Sequence, residues 1–262
     1  MADHLNRARA ALLPGMPADR VLACYAAAAG DEIGSGKFSS PESSAALAAN
    51  TFGYFLGRAA DLPPLPGCRG LGWPARDLRL EAVVRFPWPG GTHPCLDALI
   101  ETRDALIGVE SKRYEPFRAK QKPHLSGAYW RPVWGDAMAG YERVRDALLD
   151  GSARFAHLDA AQLAKHAFGL RTAVHKDKRM IGKRPVLVYL YAEPKTWPDG
   201  RKVDRAMIEA HRTDIALFAA MVRNDEVAFV CVSYRDLLGE WQADPDDRVR
   251  LHANAVLDRF EV

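Results

Sequence analysis

The sequence predicts an α/β protein whose mixed central sheet is flanked by helices. Three observations lead there. Residues 78–86, 95–102 and 105–114 are short strand-like stretches joined by very short links, the pattern of an antiparallel meander. Residues 184–194 and 227–234 are nearly unbroken apolar runs on either side of a helical pattern at 204–223. Strand, helix, strand with apolar strands of this kind reads as a right-handed parallel crossover between buried strands. Helical patterning also precedes the meander and fills the chain between meander and crossover.

Residues 1–75 read as an N-terminal helical extension, and 76–262 as the main domain. Within the extension, 42–57 (ESSAALAANTFGYFLG) predicts a small-residue helix, capped by Ser39 or Ser40 with Pro41 in its first position. The Pro- and Gly-rich stretch 62–74 must be a loop and marks the boundary. The strand LRLEAVVRF (78–86) turns through PWPGGTHP into CLDALIET (95–102), and Arg103-Asp104 leads tightly into ALIGVESKRY (105–114). Residues 115–134 are irregular. A helix at 135–151 ends at Gly151, and another at 158–174 starts from Asp159 as N-cap. The helix at 204–223 lines up Met207, Ile208, His211, Ile215, Phe218 and Val222 on one face. A short helix over 246–259 closes the chain.

Composition sets limits on function. Of 262 residues, 48% are hydrophobic and 26% charged, which excludes a mainly disordered chain. The net charge of +3 is too small to name a partner by itself. Four scattered cysteines (Cys24, Cys68, Cys95, Cys231) form no CxxC pair, so no zinc or redox motif is present and a reduced, cytoplasmic setting is expected. The apolar run at 21–30 is too short to span a bilayer and lacks the layout of a secretory signal. GDEIGSGK (30–37) is only faintly like a phosphate loop and reads as a helix-ending loop.

The meander carries the chemistry. Glu110 and Lys112 are two apart in one strand and share a face, and the neighbouring strand brings Asp97 beside them. Such a cluster is costly to bury without a cation. Two carboxylates suit Mg²⁺, with water and a substrate phosphate in its other positions. A metal there lowers the pKa of a bound water and neutralises charge on a scissile phosphate, while Lys112 would orient that water or stabilise the developing charge.

Asp97…Glu110-Ser111-Lys112 on adjacent strands resembles the PD-(D/E)xK superfamily, the restriction-endonuclease-like nucleases, and within it the uncharacterised restriction-type endonucleases of bacterial genomes. The order helix, three antiparallel strands, helix, strand is similar too, over about residues 78–192 and as far as 234. The resemblance implies a restriction-endonuclease-like core, with Asp97 and Glu110 as metal ligands, Lys112 assisting catalysis, and Mg²⁺ or Mn²⁺ as cofactor. The motif departs from the family pattern in its proline, since Pro94 stands three residues before Asp97. Glu193-Pro194-Lys195 repeats the ExK spacing, but Pro194 breaks the strand and no acid-bearing antiparallel strand precedes it.

Other residues extend the candidate site. Some family members place a further acidic ligand upstream, where Glu81 stands; an exposed strand glutamate is the alternative. Glu101 shares the parity of Asp97 but lies about 13 Å along the strand and reads as solvent-facing. Several branches have a Gln or Lys in the helix after the meander that reaches the site, and Gln162 matches it; Asp159 and Gln162 also have capping-box spacing. Lys165 and His166 share that side of the helix and would face phosphates. His166 is not read as a metal ligand, since no second His stands at ligand spacing, and His175 is given no role.

Charge is uneven. Residues 165–184 hold seven Lys or Arg against Asp177 alone, and 112–122 add Lys112, Arg113, Arg118, Lys120 and Lys122 against Glu115. Tyr129, Trp130 and Trp134 follow. Basic residues flanking the site would contact phosphates, and the aromatics would stack or wedge. The expectation is a Mg²⁺-dependent nuclease hydrolysing DNA phosphodiester bonds, of the restriction-endonuclease type. The resemblance implies products with a 5′-phosphate and a 3′-hydroxyl, and a role in host defence or genome processing. Duplex DNA is the expected partner, with a homodimer placing two sites on two strands and no membrane association. The same residues also fit a catalytically inactive nucleic-acid-binding protein of that fold, or a structural protein in which the acids and lysine pair at an exposed edge strand.

Overall fold

Five strands lie side by side in chain order. In the computed structural model, which describes residues 2–118 and 125–262, β1 (Asp77–Val83), β2 (Cys95–Glu101) and β3 (Ala105–Lys112) form the antiparallel meander. β4 (Arg184–Tyr191) joins β3 in parallel, and β5 (Ala228–Ser233) joins β4 in parallel. The protein is therefore α/β with one mixed five-stranded sheet between helices, and β3 is its central strand. ALIGV at the start of β3 has apolar or small residues on both faces because both are covered.

One face carries α1 (Ala2–Ala10), α2 (Ala18–Ala27), α3 (Ser44–Phe52), α7 (Tyr234–Gln242) and α8 (Asp247–Arg259). There Tyr25, Leu47, Phe52, Phe55 and Trp241 share a core with Ile100, Ile107 and Val188 of the sheet. Residues 1–75 thus bury their apolar surface on the sheet itself. The opposite face carries α4 (Ala139–Asp150), α5 (Ala160–Lys176) and α6 (Arg205–Val222), with Trp134, Tyr141, Phe168 and Phe218 over Leu99, Leu106 and Leu187. Among the described residues no helix is long and apolar enough to cross a membrane.

Several local expectations change. The helix expected at 42–57 starts later: Ser43, not Ser39 or Ser40, is its cap, its Oγ accepting from the Ala46 N–H at 3.0 Å. Pro41 lies outside it, and the chain tightens into a 3₁₀ turn at Gly53–Phe55. β5 is apolar but forms a sheet edge, so Cys231 is exposed where burial on both faces was expected. β5 stops at Ser233 because that hydroxyl caps α7, accepting from the Asp236 N–H at 3.0 Å. α7 was not expected, although Tyr234, Leu237, Leu238 and Trp241 have helical spacing and are buried. Met207 of α6 is 37% exposed, while His211, Ile215, Phe218 and Val222 hold the buried face. Gly151 ends α4 in the left-handed region and Asp159 caps α5, as the sequence predicts.

Two features place the site. First, β1 and β2 exchange faces midway. Leu80 pairs with Ala98 and both pack on the α3 side, whereas Ala82 pairs with Leu96 and both pack on the α5 side. Between them Glu81 has φ +49°, a left-handed kink that lets alternation switch. Second, α5 lies very close to the sheet. A Cβ on Gly108 would come within 2.7 Å of Leu96 and 3.0 Å of Leu170, and one on Gly169 within 2.5 Å of Val84.

An isolated helix would favour Gly169→Ala by about 1 kcal/mol. Here the added methyl meets Val84 and Pro94, and overpacking is expected to reverse the sign, with a net loss of roughly 1–2 kcal/mol. Urea unfolding of the variant measures this, and a gain in stability would contradict the close seating of α5.

Candidate active site at the end of the central strand

β2 and β3 stay paired as far as Ala98 opposite Val109, then part. β3 and β4 continue in register to Lys112 opposite Tyr191. The Ser111 N–H, left without a β2 carbonyl, donates to Asp97 Oδ2 at 2.6 Å, so the carboxylate completes the backbone pairing that the parting strands give up. Ser111 Oγ lies 2.6 Å from the Tyr234 hydroxyl on the α7 side. Glu110, on the opposite side of β3, faces α5.

Glu110 is 2% exposed. Its Oε1 lies 2.5 Å from Lys112 Nζ and its Oε2 lies 2.8 Å from His166 Nε2. His166 is itself 1% exposed. The pair is buried on the central strand, so an exposed edge-strand ion pair is not what this structure contains. A carboxylate at this depth is tolerated because two cationic or donor groups face it from different elements.

The electrostatics follow from burial and crowding. Burial alone pushes the Glu110 carboxyl up, but Lys112 and His166 outweigh it and hold the group well below the ordinary carboxylate range. Asp97 goes the other way: burial, then repulsion from Glu110 and Glu81, outweigh Lys112 and the Ser111 N–H. Burial works against the charge on Lys112, yet Glu110, Glu115 and Asp97 hold its ammonium above the usual range. Glu81 is pushed up to about 7, by burial first and by Glu32 and Glu110 in addition, against a hydrogen bond from the Cys95 thiol at 3.4 Å. Glu81, Asp97 and Glu110 thus crowd around Lys112, and burial and their repulsion favour the protonated form of Asp97 and Glu81, while Glu32, pushed up first by burial, answers among cations to Lys37 and then to Lys112.

The structure brings together Asp97, Glu110, Lys112 and Glu81. It adds Glu32, and it sets His166, expected to face phosphates, against Glu110 instead. Glu32 comes from the N-terminal region, and no local pattern marks it. His166 had a legible signal: it sits among Leu163, Ala164, Ala167 and Leu170 on the buried face of α5. Gln162 donates its backbone N–H to Asp159 Oδ1 at 2.9 Å as the cap requires, and among the described residues no hydrogen bond joins its side chain to Glu110 or Lys112. Lys165 Nζ lies over the Tyr129 ring, 5.8 Å from its centre. Glu101 is not solvent-facing: it lies 3.3 Å from Lys183 Nζ, whose side chain is 8% exposed.

Among the described residues, the basic run at 165–184 does not flank the site. α5 runs antiparallel to β3, so the cations after its start recede from Glu110. Arg184 pairs with Ala105, about 17 Å along the strand from Glu110. Exposed Lys176, Lys178, Arg179 and Arg184 therefore gather at the far end of the sheet. Lys120 and Lys122 of the other run lie outside the described residues. Arg113 is 5% exposed; its Nη1 donates to the Pro41 carbonyl at 2.7 Å and its Nε to the Glu261 carbonyl at 3.4 Å. Glu115 accepts from the Arg113 N–H and from the Ser44 hydroxyl, and Arg118 pairs with Glu42. The aromatics are not free to stack on bases either. Trp134 is 1% exposed and stacks on Phe168, Tyr129 is buried, and Trp130 donates to Asp146.

Among the described residues no three His, Cys, Asp or Glu side chains group as a ready-made metal site. Asp97 and Glu110 nevertheless fit a hard divalent cation, which needs only one or two carboxylates beside water. Each carboxylate oxygen keeps a lone pair beyond its present partner, and the repulsion between the acids favours a cation there. Comparisons with protein-family models, with curated proteins and with solved structures each find no match.

Glu81 makes the cluster testable by pH. Unfolded, its carboxyl ionises near its ordinary 4.5; folded, only near 7. The folded state holds the extra proton between those values, so stability falls as pH rises through that window. Glu81→Gln is expected to remove this slope and to be more stable than wild type at pH 8 by roughly 1–3 kcal/mol. Thermal unfolding at pH 5 and pH 8 reads it, and a parallel pH profile for both proteins would contradict the crowding.

Proposed function

We propose that this protein is a divalent-metal-dependent nuclease with a restriction-endonuclease-like core, hydrolysing phosphodiester bonds of duplex DNA. One observation carries the reading: buried Glu110 pairs with Lys112, and Asp97 sits on the adjoining Ser111 N–H, where the central strand parts from its neighbour. Buried charges of this kind cost several kcal/mol in desolvation, and an apolar set would pack the same position at no such cost.

Asp97 and Glu110 would hold Mg²⁺ or Mn²⁺, with water and a substrate phosphate oxygen in the remaining positions. When bound, the metal supplies an acidified water and neutralises charge on the phosphate. The chain does the rest. The Ser111 N–H fixes the Asp97 carboxylate, and Glu110 holds the Lys112 ammonium where it would orient the attacking water and stabilise charge on the phosphate. Duplex DNA as substrate, a homodimer with one site per strand, and a cytoplasmic protein follow from the same reading. The exposed cations at the far end of the sheet offer phosphate contacts remote from the chemistry.

A supercoiled-plasmid assay with Mg²⁺ or Mn²⁺ tests this. Wild type is expected to give nicked or linear product, and Glu110→Ala, Lys112→Ala and EDTA to reduce it at least about 100-fold. Intact plasmid from several DNA sources would overturn the nuclease reading, and cutting that survives both substitutions would place the activity elsewhere. If metal binds only the folded state, Mg²⁺ should also raise the melting temperature of wild type and leave that of Asp97→Ala unchanged.

A further inference from the structure

We propose that His166 is a positioning residue: its Nε2 holds the Glu110 carboxylate in the orientation that takes the metal, while Lys112 remains free to move toward substrate. The proposal rests on the reading of Glu110 as a metal ligand.

The placement follows from how α5 lies on the sheet. Leu170 meets Gly108 at the close contact between helix and strand. From that contact, four residues back along α5 to His166 is about 6 Å. Two residues forward along β3 to Glu110 is about 6.6 Å. The two steps match because helix and strand run in opposite directions, and so His166 Nε2 comes to lie 2.8 Å from Glu110 Oε2.

The two partners of Glu110 differ in kind. Lys112 reaches Oε1 with a flexible four-carbon stem and is 15% exposed at its side chain, so it can swing to a water or phosphate oxygen. His166 is a planar ring on a helix, 1% exposed and packed among Leu163, Ala167 and Leu170. It has no room to follow a substrate. Neither ring nitrogen makes an aligned hydrogen bond among the described residues, and the ring's one polar contact is the 2.8 Å approach of Nε2 to the carboxylate. A histidine kept only for packing would be replaced by an apolar residue without loss; this one sets a ring nitrogen 2.8 Å from the acid read as a metal ligand.

The test compares His166→Gln, His166→Asn and His166→Phe with wild type and Glu110→Ala. Gln places an amide nitrogen near the position of Nε2, whereas Asn is polar but too short to reach. Mn²⁺ binding is followed by electron paramagnetic resonance and by titration calorimetry. Plasmid nicking is followed over a range of Mn²⁺, with metal-free thermal unfolding as the fold control. Wild type and His166→Gln are expected to bind Mn²⁺ within about 3-fold of each other. His166→Asn and His166→Phe should bind about 10–100-fold more weakly, the usual cost of losing a group that orients a ligand. The Mn²⁺ needed for half-maximal nicking should rise by that factor, and the rate at saturating Mn²⁺ should fall less. If His166→Asn binds Mn²⁺ as wild type does while Glu110→Ala abolishes binding, the positioning role is overturned and the site reading stands. If wild type binds no Mn²⁺, the site reading is overturned and this role with it. Should His166→Phe fail to fold, the Gln and Asn pair decides.

Discussion

Burying a carboxylate on the central strand is the constraint from which the rest of this structure follows. Glu110 is enclosed by sheet and helix, and water cannot stabilise its charge. The fold answers with Lys112 from the same strand and His166 from the helix above. Each answer makes a demand of its own. Lys112 must end the strand two residues on, facing the same way. His166 must be carried to within hydrogen-bonding distance, and that requires α5 to lie against glycine at Gly108. The close helix–strand contact and the chemistry of the site are one arrangement seen from two sides.

Asp97 obeys a different logic. Its strand has already begun to leave β3, and its carboxylate substitutes for the carbonyl that would otherwise meet Ser111. The face exchange at Glu81 accompanies this parting. Strand pairing is given up locally, and the side chains released by it are acids. The local irregularity and the gathering of negative charge thus share an origin, in the geometry of β1 and β2 rather than in any long-range field.

Much of this was legible in the sequence because it is local. Alternation of period two put Glu110 and Lys112 on one face, short links fixed the meander, and the apolar runs fixed the parallel strands. Asp159 and Gly151 announced helix ends by their own chemistry. What escaped depends on the path of the chain in space. Glu32 reaches the cluster from a loop with no motif. His166 has no second histidine at ligand spacing along its helix, and its partner lies on another element. The basic run at 165–184 looked like a flank of the site because sequence proximity does not reveal that an antiparallel helix carries its later residues away. β5 looked doubly buried because apolar composition cannot distinguish an edge from an interior strand when helices cover its faces.

Arg113, the neighbour of Lys112, is held by the carbonyl of Pro41, 72 residues earlier, and by that of Glu261, 148 residues later. The acids, the lysine and the histidine are all synthesised before the second of these anchors exists. A nascent chain therefore carries every member of the cluster well before the end of the central strand can be clamped at Arg113. The end of the strand that carries Glu110 and Lys112 is thus tied to two segments remote in sequence, contacts of the kind that form slowly.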